Sequence, residues 1–146
     1  MRKLASLRII KSILPIEGAD AIELATVDGW DVVVAKDAGH EVGDMVVYCE
    51  IDSFLPIEPE FEFLRKSSFK KMSDIEGFRL KTIRLRGQLS QGLIIPLKDG
   101  LNIMNRNSNI KIHTLFEGLD ITEMLGIQKY EAPIPAELAG KVKGMF

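Results

Sequence analysis

Four basic residues stand within eight positions, Arg79, Lys81, Arg84 and Arg86, in a stretch otherwise built from apolar residues and Thr82. Guanidinium and ammonium groups set along a strand can dock a polyanion such as a phosphate backbone. Just upstream lie Phe69, Lys70 and Lys71, where an aromatic ring among polar neighbours offers a stacking surface; Gln88 adds a side-chain amide downstream. Together Arg79, Lys81, Arg84, Arg86, Gln88, Phe69, Lys70 and Lys71 are the candidate nucleic-acid-binding residues. The competing reading is a solvated strand face.

Charge distribution sharpens the point. Residues 1–62 hold five Lys or Arg against thirteen Asp or Glu, residues 65–86 hold eight against two, and residues 87–146 balance at six each. A chain of net charge −2 thus concentrates +6 in one segment. A focused cationic zone on an acidic protein points to an anionic partner held at one place.

Other chemistry is demoted by spacing. His40 and His113 lie far apart, and neither falls in a metal-ligand spacing with Cys49. Phosphate-binding-loop and dinucleotide fingerprints are missing, and no nucleophile-elbow pattern surrounds Ser90. Cys49, flanked by apolar residues, reads as a small buried hydrophobe. The acidic run Asp52, Glu58, Glu60 and Glu62 reads as a solvated face. No catalytic or metal-binding residue is expected, and no cofactor for this chain itself.

The elements that must position the cationic row are strands. In Phe78–Leu85 the apolar parity slips once, which predicts a β-bulge near Thr82. Leu93 to Leu97 is continuously apolar and should be covered on both faces. Gly87 and Gly92 bracket the joint. Earlier, residues 4–14 and 22–27, then Trp30–Ala35 and Met45–Ile51, read as four strands, with Asp28-Gly29 as a hairpin turn. In residues 52–77, Glu60–Arg65 suits a short helix with Phe61 and Leu64 inward, and Ser67–Gly77 a polar loop. After Leu97, Lys98-Asp99-Gly100 reads as a turn and Asn102–Asn109 as a loop. Asp120–Glu123 resembles a capping box opening a short helix that Gly126 stops. Residues 131–135 should be extended, and 140–146 linker-like.

The expected architecture is mainly β: an OB-fold-like small antiparallel barrel with one or two short helices and a C-terminal extension. Residues 1–100 would form the barrel with its insertion at 52–77, and residues 101–146 an extension of the same domain leading to a linker. No apolar run approaches bilayer-spanning length, and polar residues interrupt any signal-peptide pattern after Met1-Arg2-Lys3. With a single cysteine, this suggests an intracellular protein without a membrane partner.

Several blocks carry a resemblance: Val46–Pro56, Phe61–Arg65, Gly77–Thr82, Leu85–Leu93 and Lys129–Pro135. They resemble the N-terminal module of ATP-dependent, nick-sealing RNA ligases of the Deinococcus type. The resemblance implies an OB fold that engages nicked duplex RNA during repair, ahead of a nucleotidyltransferase domain with a catalytic lysine in a Lys-x-Asp-Gly motif. ATP and divalent metal would serve that parent enzyme, whose own catalytic domain would be a further partner. Lys36-Asp37-Ala38-Gly39 and Lys98-Asp99-Gly100 both depart from the motif. The chain alone is therefore expected not to be an enzyme, with the catalytic domain absent from it. A second resemblance, of Leu85–Ile94 and Gly18–Leu24, is to tRNA-binding OB modules. A module that only braces the catalytic domain is the remaining alternative.

Overall fold

Alternation of apolar and polar residues produces short strands, and tight turns join them. The computed structural model describes residues 3–107 and 114–132. In order they are β1 (Ala5–Ile9), β2 (Ser12–Pro15), β3 (Ile22–Val27), β4 (Trp30–Ala35), β5 (Met45–Cys49) and β6 (Ser53–Pro56). A 3-10 turn over Pro59–Leu64 runs into α1 (Arg65–Ser68), followed by β7 (Phe69–Met72), β8 (Ile75–Arg79), β9 (Ile83–Leu85), β10 (Gln88–Ser90) and β11 (Leu93–Pro96). The helix α2 (Leu97–Asn107) and the short β12 (Gln128–Lys129) complete the described elements.

The expected first strand, 4–14, is broken in two. β1 pairs antiparallel with β5, and β2 pairs with β3. Between them Ile10 bonds to the Gly43-Asp44 turn while Lys11 N donates to Thr26 O, so one bent path serves two sheets. Such bending lets a small sheet set curl on itself. The remaining seam lies between β4 and β10. There Val33 N donates to Ser90 Oγ at 2.9 Å and Gln91 N to Asp31 O at 2.9 Å. The sheets are thus mostly β, small and curled, and not closed into a large barrel. Asp28 and Gly29 both have positive φ, 43° and 82°, as the β3–β4 hairpin turn requires.

β5 explains its own continuous apolar run. Successive strand residues point to opposite faces. Val46 and Tyr48 enter one core with Ile10, Ala25, Val27, Val32, Val34 and Ile94. Val47 and Cys49 enter a second core with Leu7, Leu55, Phe61, Phe78 and Ile95. β11 divides the same way, Ile94 to one side and Ile95 to the other, so its expected cover on both faces is present. The second core also takes Ile121, Leu125 and Ile127, and Leu7 exchanges backbone bonds with Leu119 O and Gly118 N.

Four local expectations are corrected. The parity slip near Thr82 is not a bulge: β8 belongs to the sheet β12-β6-β8-β7, whereas β9 pairs with β10, so the chain changes sheets there. Ser67–Gly77 is not a loop: it holds the end of α1 and most of the β7–β8 hairpin, turned by Ser73 and Asp74 with φ of 50° and 69°. Two non-glycine residues in the left-handed region gave no turn signal, and the Phe69–Phe78 pair supplies the packing. Residues 98–107 are helix rather than the turn expected at Lys98-Asp99-Gly100 and the loop expected from Asn102: Leu97, Gly100, Leu101 and Met104 share one face, and Ile103 and Met104 are buried. Packing there overrides weak helix propensity. Asp120 does cap, its Oδ1 accepting from Thr122 N at 3.0 Å, but Thr122–Gly126 forms one turn and no helix. His113, the end of the 131–135 segment and residues 140–146 lie outside the described residues.

Candidate nucleic-acid interface

The cationic row is divided by the change of sheet. Arg79 closes β8, half-buried, with Nη2 3.1 Å from Asp52 Oδ1 and its guanidinium 4.7 Å from the Tyr130 ring centroid. Its Nε is buried without a hydrogen-bond partner among the described residues. Lys81 lies in the link between β8 and β9, and Arg84, Arg86 and Gln88 follow on the β9–β10 hairpin. Lys81 and Arg86 are exposed and make no ion pair among the described residues; Arg84 Nη1 donates to Gly87 O at 3.0 Å. Gln88 Nε2 donates to Leu89 O at 2.9 Å. Arg86, with φ 51°, and Gly87, with φ 80°, make the tight turn at the hairpin tip.

Lys70 and Lys71 lie exposed on β7, the edge strand of the insertion sheet, where consecutive positions project to opposite faces. Phe69 is half-buried rather than freely wet: it packs against the second core, and the Arg65 guanidinium stands 5.2 Å from its ring centroid. Among the described residues the exposed phenylalanine rings are Phe63 and Phe116, at 64% and 52%. Sequence reasoning passed over Phe63, although the signal was present: the turn that buries Phe61 and Leu64 must direct the two residues between them, Glu62 and Phe63, outward.

The acidic run is not a bare solvated face. Glu62 accepts a bidentate pair of bonds from Arg65, and Arg106 donates to both Glu58 and Glu60, with Asn107 also bonded to Glu58. The Arg106 bond, above all, holds the Glu60 carboxyl below the usual range, and the Arg65 bond does the same for Glu62. These acids therefore neutralise arginines, while Lys70, Lys71 and Lys81 make no ion pair among the described residues. No cluster of metal-ligating side chains occurs among the described residues. Cys49 is fully buried, and burial pushes its thiol up to about 12. Ser90 spends its hydroxyl on the β4 seam. No helix among the described residues is long and apolar enough to cross a membrane.

A groove brings Phe63 and Lys81 together. Phe63, Ser67 and Ser68 line one side, Lys81 and Ile83 the other, and Val33 of β4 is among its remaining lining residues; its volume is about 230 Å³. It runs between α1 and the hairpin beside β4. The outer face of such curled sheets, with the loops beside it, is where single strands of nucleic acid are held in OB folds.

Bent first strand, hairpin pair and closing strand define an OB-fold protein, and residues 4–97 match an OB-fold domain family. The chain belongs to that family. Among solved structures it is similar to the RNA ligase of Naegleria gruberi. A mutant of that enzyme with AMP and Mn shares 41% identity at a TM-score of 0.76, over 91% of this chain and 37% of that one. The ligase with PPi shares 42% identity at a TM-score of 0.74, over 94% and 38%. A further mutant with ATP and Mn gives 41% identity and 0.74, over 91% and 37%. The chain therefore spans well under half the length of the ligases it matches. No curated protein matches it.

Proposed function

We propose that this chain is the OB-fold module of an ATP-dependent RNA ligase of the nick-sealing, Deinococcus type, and that it engages RNA around a nick while a nucleotidyltransferase domain acts on the ends. The observation that carries this reading is the match to the Naegleria gruberi RNA ligase at 41% identity over 91% of the chain. The unopposed cations Lys70, Lys71, Lys81 and Arg86 support it, since a polyanion needs accessible positive charge. ATP and Mn accompany the similar ligase structures, and the corresponding chemistry would belong to the parent enzyme. The chain itself has no Lys-x-Asp-Gly segment to accept an adenylyl group.

Titration of the chain with nicked duplex RNA across a salt series tests the proposal. The expected result is weak, salt-sensitive binding whose slope falls when Lys81, Arg84 and Arg86 are replaced together. Binding indifferent to salt, or none, overturns it. Labelled ATP with Mn should leave no covalent adenylate on this chain.

A bracing module is the second reading. It is favoured by the apolar side chains Ile83, Leu85 and Leu89, which stand 43%, 41% and 38% exposed on the β9–β10 hairpin. Removing the module from a full-length ligase separates the two. RNA engagement predicts intact adenylylation with poor sealing, whereas bracing predicts an enzyme that loses stability and adenylylation together.

A further inference from the structure

We infer that the groove between α1 and the β9–β10 hairpin is a slot for one unpaired RNA base, with Phe63 as the stacking platform and Lys81 as the phosphate contact. The inference rests on the reading of the chain as an RNA-engaging module and assigns that role to residues of one particular groove.

Phe63 is the starting point. It is the most exposed of the large hydrophobic side chains among the described residues, at 64%, yet its neighbours Phe61 and Leu64 are buried and fix the backbone beneath it. A ring held out by a rigid turn loses little entropy on stacking. Phe63 also stands on a shared rim, for it lines both the groove with Lys81 and the adjoining one with His40, Glu60 and Asp99.

The two grooves differ in charge. The first is lined by Lys81, Ser67, Ser68 and Ser90, with no carboxylate among its lining residues. The second carries Glu60 and Asp99. An anionic ligand is favoured in the first and opposed in the second. At about 230 Å³ the first is small for a drug-sized molecule but roomy enough for one flat heterocycle. Ser67 Oγ donates to Leu64 O at 3.5 Å and lies 3.1 Å from Ser68 Oγ, so the pair offers acceptor lone pairs, and every base carries an N–H donor to meet them. That suits binding without strong sequence preference.

The test uses the whole chain and two fluorescent probes: a short single-stranded oligouridylate, and the same strand with abasic sites replacing its central nucleotides. Phe63→Ala should weaken binding of the first probe about tenfold, and Phe63→Trp should restore it. The abasic probe should bind both variants and the parent chain alike, at the weakened level. Lys81→Ala should lower the salt slope by about one. Circular dichroism of each variant checks that it is folded, which an exposed position permits. RNA binding that is indifferent to Phe63, or equal for the two probes, overturns the slot and leaves the module reading in place. No binding of either probe, together with none of nicked duplex, overturns both. Loss of binding by Phe63→Ala that the abasic probe shares equally would show a surface for another protein segment or a fold defect, and overturns the slot.

Discussion

Arg79 Nη2 lies 3.1 Å from Asp52 Oδ1, tying the end of β8 to the residue that opens β6. Asp52 has φ 68°, and its carbonyl accepts from Tyr130 N at 2.7 Å, so the pair sits where the insertion sheet meets the final described segment. Arg79 covers the Tyr130 ring from the same position. Its charge is engaged within the fold, unlike that of Lys81 and Arg86. Arg79→Ala should therefore cost about 1–2 kcal/mol of stability, from a half-exposed ion pair and a cation–π contact. The RNA salt slope should stay unchanged, and urea melts alongside salt titrations measure both effects. A slope that falls as it does for Lys81→Ala would place Arg79 at the interface after all.

Glycine at position 100 is kept for space. A Cβ there would stand 2.5 Å from Val47 Cγ2, and Val47 is fully buried. On an open helix face Gly→Ala would gain up to about 1 kcal/mol. Here overpacking should outweigh that gain, and Gly100→Ala should lose a net ~1–2 kcal/mol in a denaturant melt. Gly77→Ala should lose more, because its Cβ would meet the backbone oxygen of Leu55 at 2.6 Å, and a backbone atom cannot swing aside.

Cys49 should be inert while the chain is folded. Its thiol is raised to about 12 by burial, so it stays protonated and unreactive toward a disulfide reagent until the protein unfolds. The sign follows from linkage. The unfolded thiol ionises near roughly 8.5, so stability is whole below that pH and falls by up to about 1.4 kcal/mol per unit above it. Cys49→Ala should flatten this alkaline limb. Rapid labelling of the native chain at neutral pH would contradict the burial.

Glu60 sets an opposite trend in acid. Its carboxyl titrates below the ordinary range because Arg106 donates to it. The stabilisation is present above the unfolded carboxylate pKa and is lost as pH falls through the lower folded value. Arg106→Gln should reduce the acid sensitivity of the urea midpoint. The effect should be small and should shrink with added salt, since the pair is near the surface.

Phe61→Ala probes the second core. The ring is fully buried beside Leu55, Phe78 and Ile103. Its removal should cost about 3–5 kcal/mol and should also disturb the turn that presents Phe63. A thermal melt reads the first effect.

Much of the barrel was legible from residues alone. Asp28-Gly29 marked the β3–β4 hairpin, Trp30–Ala35 and Met45–Ile51 read as strands, and the unbroken apolar run of β11 marked a strand with a core on each face. The charge zone at 65–86 was equally plain. What periodicity could not show was which sheet each run joins. Phe78 and Leu80 keep one parity and Ile83 and Leu85 the other because they belong to different sheets, and a single strand with a bulge fits the same pattern. α2 and the β7–β8 turn were hidden because asparagine, serine and aspartate ordinarily speak for loops, and only contact with Val47 and Phe78 reverses them.

The sequence by itself determined the composition of the candidate site: its cations, its rings, and the absence from this stretch of a lysine motif for adenylyl transfer. Tertiary structure decided which of them are available. Arg79 and Arg65 are drawn to Asp52 and Glu62, Phe69 leans on the core, and Phe63 is left standing over a groove with Lys81. The physical reason is that partner choice among charges and rings depends on distance through space, and that distance arises only when the sheets close upon their two cores.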